Sequence, residues 1–120
     1  MAWRYKPSNK YGNHKTEVDG IVFDSMLEAK RYGELKLMQR AGMIENLELQ
    51  PRFVLQPSFK KNGKTIRKIE YVADFAYQKN GQLIVEDTKS PATLANKEYR
   101  LKKKLFEFKY PELTIKEITQ

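Results

Sequence analysis

The chain has 120 residues, a net charge of +8 at pH 7 and a pI of about 9.6. A chain of this length forms one domain with a modest core, too small for separate catalytic and targeting domains. It has no cysteine and a single histidine, His14, which excludes disulfides, thiolate metal sites and histidine-cluster metal sites. No apolar run reaches the length of a membrane span and no signal-peptide core is present, so we expect a cytoplasmic protein without a membrane partner.

The first segment, residues 1–15, is polar and rich in turn-forming residues, with no helical or strand period. It has no acid, and its cations are Arg4, Lys6, Lys10 and Lys15. We predict a flexible basic arm here, which either orders on DNA or is simply a frayed terminus. Residues 16–120 are then the folded domain.

A small hairpin is predicted over Thr16–Phe23, with its turn at Asp19-Gly20. The next stretch, from Ser25 to Arg40, has the period of a helix and ends at Ala41-Gly42. Its apolar stripe consists of Leu27, Ala29, Tyr32, Leu35 and Met38.

Glu28 falls near the middle of that apolar stripe. An inward-facing carboxylate needs a partner or a metal ion, because an unpaired buried charge is costly. Ser25-x-x-Glu28 is also a capping box, in which the Glu28 side chain reaches back to the Ser25 amide. Glu28 is therefore either a metal ligand or a capping residue, and the two roles can hold in different states.

The middle of the chain has the patterns of short strands. Ile44–Leu49 and Phe53–Gln56 are predicted strands, interrupted by Pro51. A turn at Asn62-Gly63 then leads into one long predicted strand from Lys64 to Tyr77.

A further strand, Leu83 to Lys89, follows the turn at Asn80-Gly81, so it lies antiparallel to the strand that contains Asp74. Because side chains alternate along a strand, Asp87 and Lys89 share one face and Glu86 points to the other. Aspartate is depleted in strands, yet Asp74 and Asp87 each lie in an apolar, β-prone run. The alternative is that Asp87 and Lys89 form only a solvated pair.

Two strand carboxylates beside a lysine suit metal-dependent cleavage of phosphodiesters. Carboxylates can hold Mg²⁺, which prefers oxygen ligands, and the backbone carbonyl of Thr88 could add another. The metal lowers the pKa of a bound water, and Lys89 can orient that water or neutralise the phosphate.

The C-terminal part is predicted as a helix from Ala92 to Lys109, stopped by Tyr110-Pro111, and a last strand from Leu113 to Ile118. The helix has two apolar faces. One face contains Leu94, Leu101, Leu105 and Phe108, and the other contains Ala95, Tyr99 and Phe106. Such a helix is either wedged within the fold or half of an interface, for example that of a homodimer.

Positive charge is clustered along the chain, at the N terminus, over residues 60–68 and over residues 97–109. Such clusters suit a polyanion, because lysine and arginine neutralise phosphates. The charge alone does not separate DNA from RNA or an anionic membrane, but together with an acidic site it favours nucleic acid. The candidate DNA-binding residues are Lys10, Lys15, Arg67, Lys68, Lys97, Arg100, Lys103 and Lys104.

The order of a helical Glu28, a strand Asp74 and Asp87-x-Lys89 resembles the PD-(D/E)xK nuclease superfamily, which has the restriction-endonuclease-like fold. Several segments are also similar to a family of short bacteriophage proteins, catalogued as a domain of unknown function and placed with that superfamily. These segments are Lys15–Gly20, Phe23–Ala29, Leu47–Phe53, Tyr71–Phe75 and Val85–Lys89.

The resemblance implies an α/β fold, with a mixed β-sheet flanked by helices, and Mg²⁺-dependent DNA cleavage, with Mn²⁺ as a substitute. It maps the catalytic set onto Glu28, Asp74, Asp87 and Lys89, although Ala73 stands where the superfamily often has proline. It also implies a phage-encoded protein of the bacterial cytoplasm, acting on branched or structured DNA by analogy with small phage junction resolvases. The alternatives are a non-catalytic nucleic-acid-binding module, an RNA nuclease and an accessory factor in DNA packaging.

Overall fold

The structure is a computed structural model and describes residues 15–119. The predicted basic arm, apart from Lys15, lies outside these residues. The described elements, in chain order, are β1 (Thr16–Val18), β2 (Ile21–Phe23), α1 (Met26–Arg40), β3 (Glu45–Leu49), β4 (Arg52–Gln56), β5 (Phe59–Lys61), β6 (Lys64–Ile66), β7 (Ile69–Val72), β8 (Phe75–Lys79), β9 (Gln82–Thr88), α2 (Pro91–Leu94), α3 (Lys97–Lys109) and β10 (Ile115–Ile118).

The largest sheet has four strands in the order β10-β9-β8-β3. β10 is parallel to β9, whereas the other neighbours are antiparallel, so the sheet is mixed. Two apolar clusters form its core. The first includes Tyr32 and Leu35 of α1 with Phe75, and the second includes Phe106 of α3 with Val85. The protein is thus a small α/β domain, in which α1 packs against β1, β2, β3 and β9, whereas α3 packs mainly against β4 and β7.

Three hairpin turns form where they were predicted, at Asp19-Gly20, Asn62-Gly63 and Asn80-Gly81. In each turn both residues have positive φ, for example 51° at Asn80 and 77° at Gly81. Two-residue hairpin turns of type I′ require this conformation, and asparagine, aspartate and glycine tolerate it best. The predicted first helix is also confirmed, with Ser25 as its N-cap.

The prediction of one long strand from Lys64 to Tyr77 is wrong, because the structure divides it into β6, β7 and β8. The backbone changes partners at Ala73-Asp74: the Ala73 amide donates to the Pro51 carbonyl, whereas the Asp74 amide donates to the Glu86 carbonyl of β9. β3–β4–β5 and β6–β7–β8 therefore form a long antiparallel ribbon, interrupted opposite Gln50-Pro51. This interruption places Asp74 at a bend rather than within a strand.

The single helix predicted from Ala92 to Lys109 is also wrong. The chain forms α2 and then α3, because the Asn96 side chain accepts from the Tyr99 amide at 2.9 Å and caps a new helix. None of the helices in the described part of the chain is long and apolar enough to cross a membrane.

Within residues 15–119, one apolar face of α3 is covered and the other is exposed. Tyr99 and Phe106 are buried, whereas Leu101 and Phe108 on the other face are 56% and 86% exposed. The predicted homodimer therefore stays a prediction.

Candidate metal and nucleic-acid site

Asp74 is held beside the end of β9 by four hydrogen bonds. Its amide donates to the Glu86 carbonyl and to Asp87 Oδ1, at 3.1 and 3.0 Å. Its own Oδ2 accepts from the Thr88 amide and the Thr88 hydroxyl, both at 2.8 Å. The bend in the ribbon thus joins the two predicted strand carboxylates.

Asp87 is buried, with 1% of its surface exposed. The Tyr71 hydroxyl donates to Oδ2, and Lys89 Nζ lies 3.4 Å from the same oxygen. The predicted shared face of Asp87 and Lys89 is confirmed. Burial raises the pKa of Asp87 to about 6, although the charge of Lys89 opposes the rise.

Lys89 is fixed by a second contact as well. Its ammonium group lies 4.3 Å from the centre of the Tyr99 ring, within the range of a cation–π interaction. Only 15% of the Lys89 side chain is exposed. The cation is therefore positioned rather than free in solvent.

Glu86 points away from Asp87 and is fully buried. Arg31 Nε and Nη2 donate to its two oxygens at 2.8 and 2.7 Å, and the Tyr77 hydroxyl donates to Oε2. The hydrogen bond to Glu86 is the main cause of the raised pKa of Arg31. Both oxygens of Glu86 are thus used by the fold, which favours Asp87 as the strand ligand.

Glu28 faces inward as predicted, with 9% of its surface exposed. Ser25 Oγ accepts from the Glu28 amide at 3.1 Å, so the Ser25 half of the capping box is present. No side-chain hydrogen bond among residues 15–119 ends on the Glu28 carboxylate. Burial, followed by the charges of Asp74, Asp24 and Asp87, raises its pKa to about 7.

The site's donor set suits Mg²⁺. The carboxylate of Glu28 lies in the field of three other acids, Asp74, Asp24 and Asp87, and a divalent cation would offset their repulsion. Within residues 15–119 no three acidic or histidine side chains are arranged to hold a metal ion by themselves. Mg²⁺ does not require such a cage, since it usually keeps several waters and takes one or two carboxylates.

Sequence reasoning missed the partners of these acids. The sequence did not indicate the roles of Tyr71 and Arg31. It also did not indicate that a further acid, Glu117, lies opposite Asp87 on the parallel strand β10. The Tyr99 hydroxyl and Lys103 donate to Glu117 at 2.5 and 3.1 Å. Burial alone would raise the pKa of Glu117, but these hydrogen bonds lower it. Buried tyrosines usually find an acceptor, but the sequence does not say which one.

The structure separates the predicted DNA-binding residues. Lys10 lies outside the described residues, and Lys15 and Lys103 are paired with Asp24 and Glu117. Arg67 and Lys68 are exposed in the ribbon, between β6 and β7. A depression of about 280 Å³ on α3 is lined by Lys97, Arg100, Leu101 and Lys104.

No curated protein and no solved structure matches the chain, so the likeness to PD-(D/E)xK nucleases stays a prediction from the motif. A model of one protein family, described as "Protein of unknown function (DUF1064)", matches residues 8–120. Because this match covers nearly the whole sequence, the chain belongs to the DUF1064 family.

Proposed function

We propose that this protein is a metal-dependent DNA endonuclease. The observation that carries the proposal is the contact between Asp74, Asp87 and Lys89, with the charge of Glu28 coupled to both aspartates. Perturbed acids beside a fixed cation are a common mark of a catalytic site.

The residues that would hold Mg²⁺, or Mn²⁺ as a substitute, directly or through the waters that the ion keeps, are Glu28, Asp74 and Asp87, with the carbonyl of Thr88. When bound, the ion would activate a water and stabilise negative charge on phosphate oxygens. Among the described residues, Asp87 Oδ1 accepts only from the Asp74 amide, and the Glu28 carboxylate has no donor. Both carboxylates therefore keep lone pairs for a ligand.

Lys89 contributes a fixed positive charge next to the acids. Its contacts with Asp87 and the Tyr99 ring hold the ammonium group, so little reorganisation is needed when a phosphate arrives. The Tyr71 hydroxyl donates to the same Asp87 oxygen, Oδ2, that Lys89 contacts. These neighbours give the acid and the lysine a defined relative position before substrate binds.

Nucleic acid is the substrate that the charge favours. The chain has 23 lysines and arginines against 15 acids, and exposed cations are present both on the ribbon and on α3. Such a surface neutralises phosphates and releases their counterions. DNA rather than RNA follows from the resemblance, and the assay below compares the two.

A non-catalytic nucleic-acid-binding module is the second candidate. One observation favours it: Asp87 already has three partners, namely Tyr71, Lys89 and the Asp74 amide. A buried acid satisfied in this way can be purely structural. In that case the basic surface would bind nucleic acid and no phosphodiester would be cut.

The test is a cleavage assay on equal concentrations of duplex, single-stranded, flap and four-way-junction DNA, with matched RNA. Each substrate is incubated with Mg²⁺, Mn²⁺, Ca²⁺ or EDTA. We expect cutting of DNA with Mg²⁺ and Mn²⁺, and none with EDTA. Ca²⁺ is larger and less demanding in geometry, so it should support binding with little cleavage. Metal-independent binding without any cutting would support the binding module instead.

A further inference from the structure

The β5–β6 hairpin is the most exposed element of the described chain. All six of its strand residues are exposed, and the extensive contacts of β5 and β6 are with each other. A two-stranded hairpin is marginal in water unless something covers it. The hairpin therefore has a surface available for a partner.

One face of this hairpin has an apolar pair beside a cationic pair. Phe59 is opposite Ile66, and Lys61 is opposite Lys64. Residues two apart on a strand share a face, so all four side chains are on the same side. Phe59 is 44% exposed and Ile66 is 39% exposed.

The positive charge of the hairpin favours binding of an anion. From residue 57 to residue 69 the chain has no acid, and its cations are Lys60, Lys61, Lys64, Arg67 and Lys68. Among the described residues only Lys68 of this group pairs with an acid, Glu70 at 3.5 Å. Like charges directly opposite on a hairpin are destabilising, as Lys61 and Lys64 are, and bound phosphates would remove that repulsion.

The apolar pair indicates which part of a nucleic acid meets the hairpin. Base edges in a groove are read mainly by hydrogen-bonding side chains, and neither Phe59 nor Ile66 can make such bonds. The faces of bases, in contrast, stack on aromatic rings and are accessible only where bases are unpaired. Two apolar side chains are too few to anchor the domain in a bilayer.

We infer that the β5–β6 hairpin binds unpaired bases of the DNA substrate, with Phe59 stacking on a base and Lys61 and Lys64 on the flanking phosphates. The inference rests on the proposed function, since it names the part of the DNA that this nuclease selects. It favours substrates with single-stranded segments, such as flaps and junctions, over blunt duplex.

The test measures binding in EDTA, where no cleavage occurs, to a single strand, a duplex with an overhang and a blunt duplex of equal phosphate number. Phe59→Ala should weaken binding to the first two probes about tenfold and leave blunt duplex nearly unchanged. Phe59→Trp should bind all three probes about as well as the wild type, because it keeps an aromatic ring for stacking. Phe108→Ala is the matched control, because Phe108 is an even more exposed phenylalanine on α3.

Lys61→Gln with Lys64→Gln should weaken binding to every probe. The plot of log binding constant against log salt concentration should become less steep, by about 0.7 to 0.9 for each lost phosphate contact. Far-UV circular dichroism checks that each variant is folded.

Equal losses on all three probes in Phe59→Ala, or no loss on any, would overturn the inference. Binding of anionic vesicles that depends on Phe59 would overturn it as well, in favour of a membrane surface. Hairpin-dependent binding of single strands by a protein that cuts nothing would leave the inference standing and reject the nuclease. Normal DNA cleavage by a protein whose DNA binding does not depend on Phe59 would support the nuclease and overturn the inference about the hairpin.

Discussion

Glu86 and Asp87 are adjacent acids on one strand, and both are almost completely buried. Glu86 faces Arg31, whose guanidinium bonds both of its oxygens. Asp87 faces Lys89 at 3.4 Å and has a pKa raised to about 6. Burial alone therefore does not distinguish the structural acid, Glu86, from the candidate functional acid, Asp87. The two acids differ in their hydrogen-bond and charge partners.

The largest effect is expected at Asp87. Asp87→Asn keeps the size of the side chain but removes the charge that would hold the metal ion, which is worth several kcal/mol of transition-state stabilisation, so cleavage should fall by about 10²-fold to 10⁴-fold. Binding of DNA should be unchanged or tighter, because a negative charge near the phosphates is lost. Initial cleavage rates and EDTA binding on the same DNA measure both. Asp74→Ala should behave alike, and if both variants cut normally with Mg²⁺ the nuclease proposal is wrong.

Glu86→Gln should show the opposite pattern. It leaves the Arg31 cation without its buried partner, which should cost about 3 to 5 kcal/mol in the free energy of unfolding. Cleavage per folded molecule should stay near wild type. Urea unfolding monitored by circular dichroism gives the stability. An inactive but fully stable Glu86→Gln would reverse the roles assigned to the two acids.

Glu28 should make stability depend on pH. Its folded pKa of about 7 lies above its ordinary value of 4.5, so folding favours the neutral form. Glu28 therefore contributes its full share to the free energy of unfolding below pH 4.5. This share is lost as the pH rises through 7, which lowers the free energy of unfolding by about 2 kcal/mol after allowance for solvent screening. Asp87 acts in the same direction at lower pH.

Glu28→Gln should therefore unfold with a flatter pH profile than the wild type in EDTA, while cleavage falls. Added Mg²⁺ should restore wild-type stability at neutral pH and do little for the variant. Identical pH profiles for the two proteins, with full activity, would leave Glu28 as a residue of the first helical turn only.

The smallest effect is expected at Ser25, whose hydroxyl caps α1. Ser25→Ala should cost about 1 kcal/mol in the free energy of unfolding and leave cleavage unchanged. This variant is the control for Glu28, since it removes the cap without touching the carboxylate. If Ser25→Ala lost as much cleavage as Glu28→Gln, the loss in Glu28→Gln would be due to a disturbed helix start rather than to the missing carboxylate charge.

Local chemistry made much of the fold predictable. The three hairpin turns need residues that tolerate positive φ, and the helix needs Ser25 before its apolar stripe. The division at Asn96 was also readable as an N-cap, but the continuing apolar pattern of the helix concealed it. Signals of this kind involve residues within one turn of each other.

For the site, the sequence indicated the acids and the lysine but not the side chains that contact them. Arg31 meets Glu86 across 55 residues of sequence, and Tyr71 meets Asp87 across 16. At the bend, the Asp74 amide donates to the Asp87 side chain as well as to the Glu86 carbonyl of β9. These pairings are set by tertiary packing, so no local pattern reports them.

The parallel strand β10 has a consequence for the time at which the protein becomes active. The Lys89 amide donates to the Ile118 carbonyl at 2.8 Å, and Glu117 lies opposite Asp87. The ribosome makes the helix with Glu28 first and β10 about 90 residues later, at roughly 5 to 20 residues per second. A nascent chain that has not reached Ile118 lacks the strand beside its acids, so the activity proposed here begins only when β10 has docked.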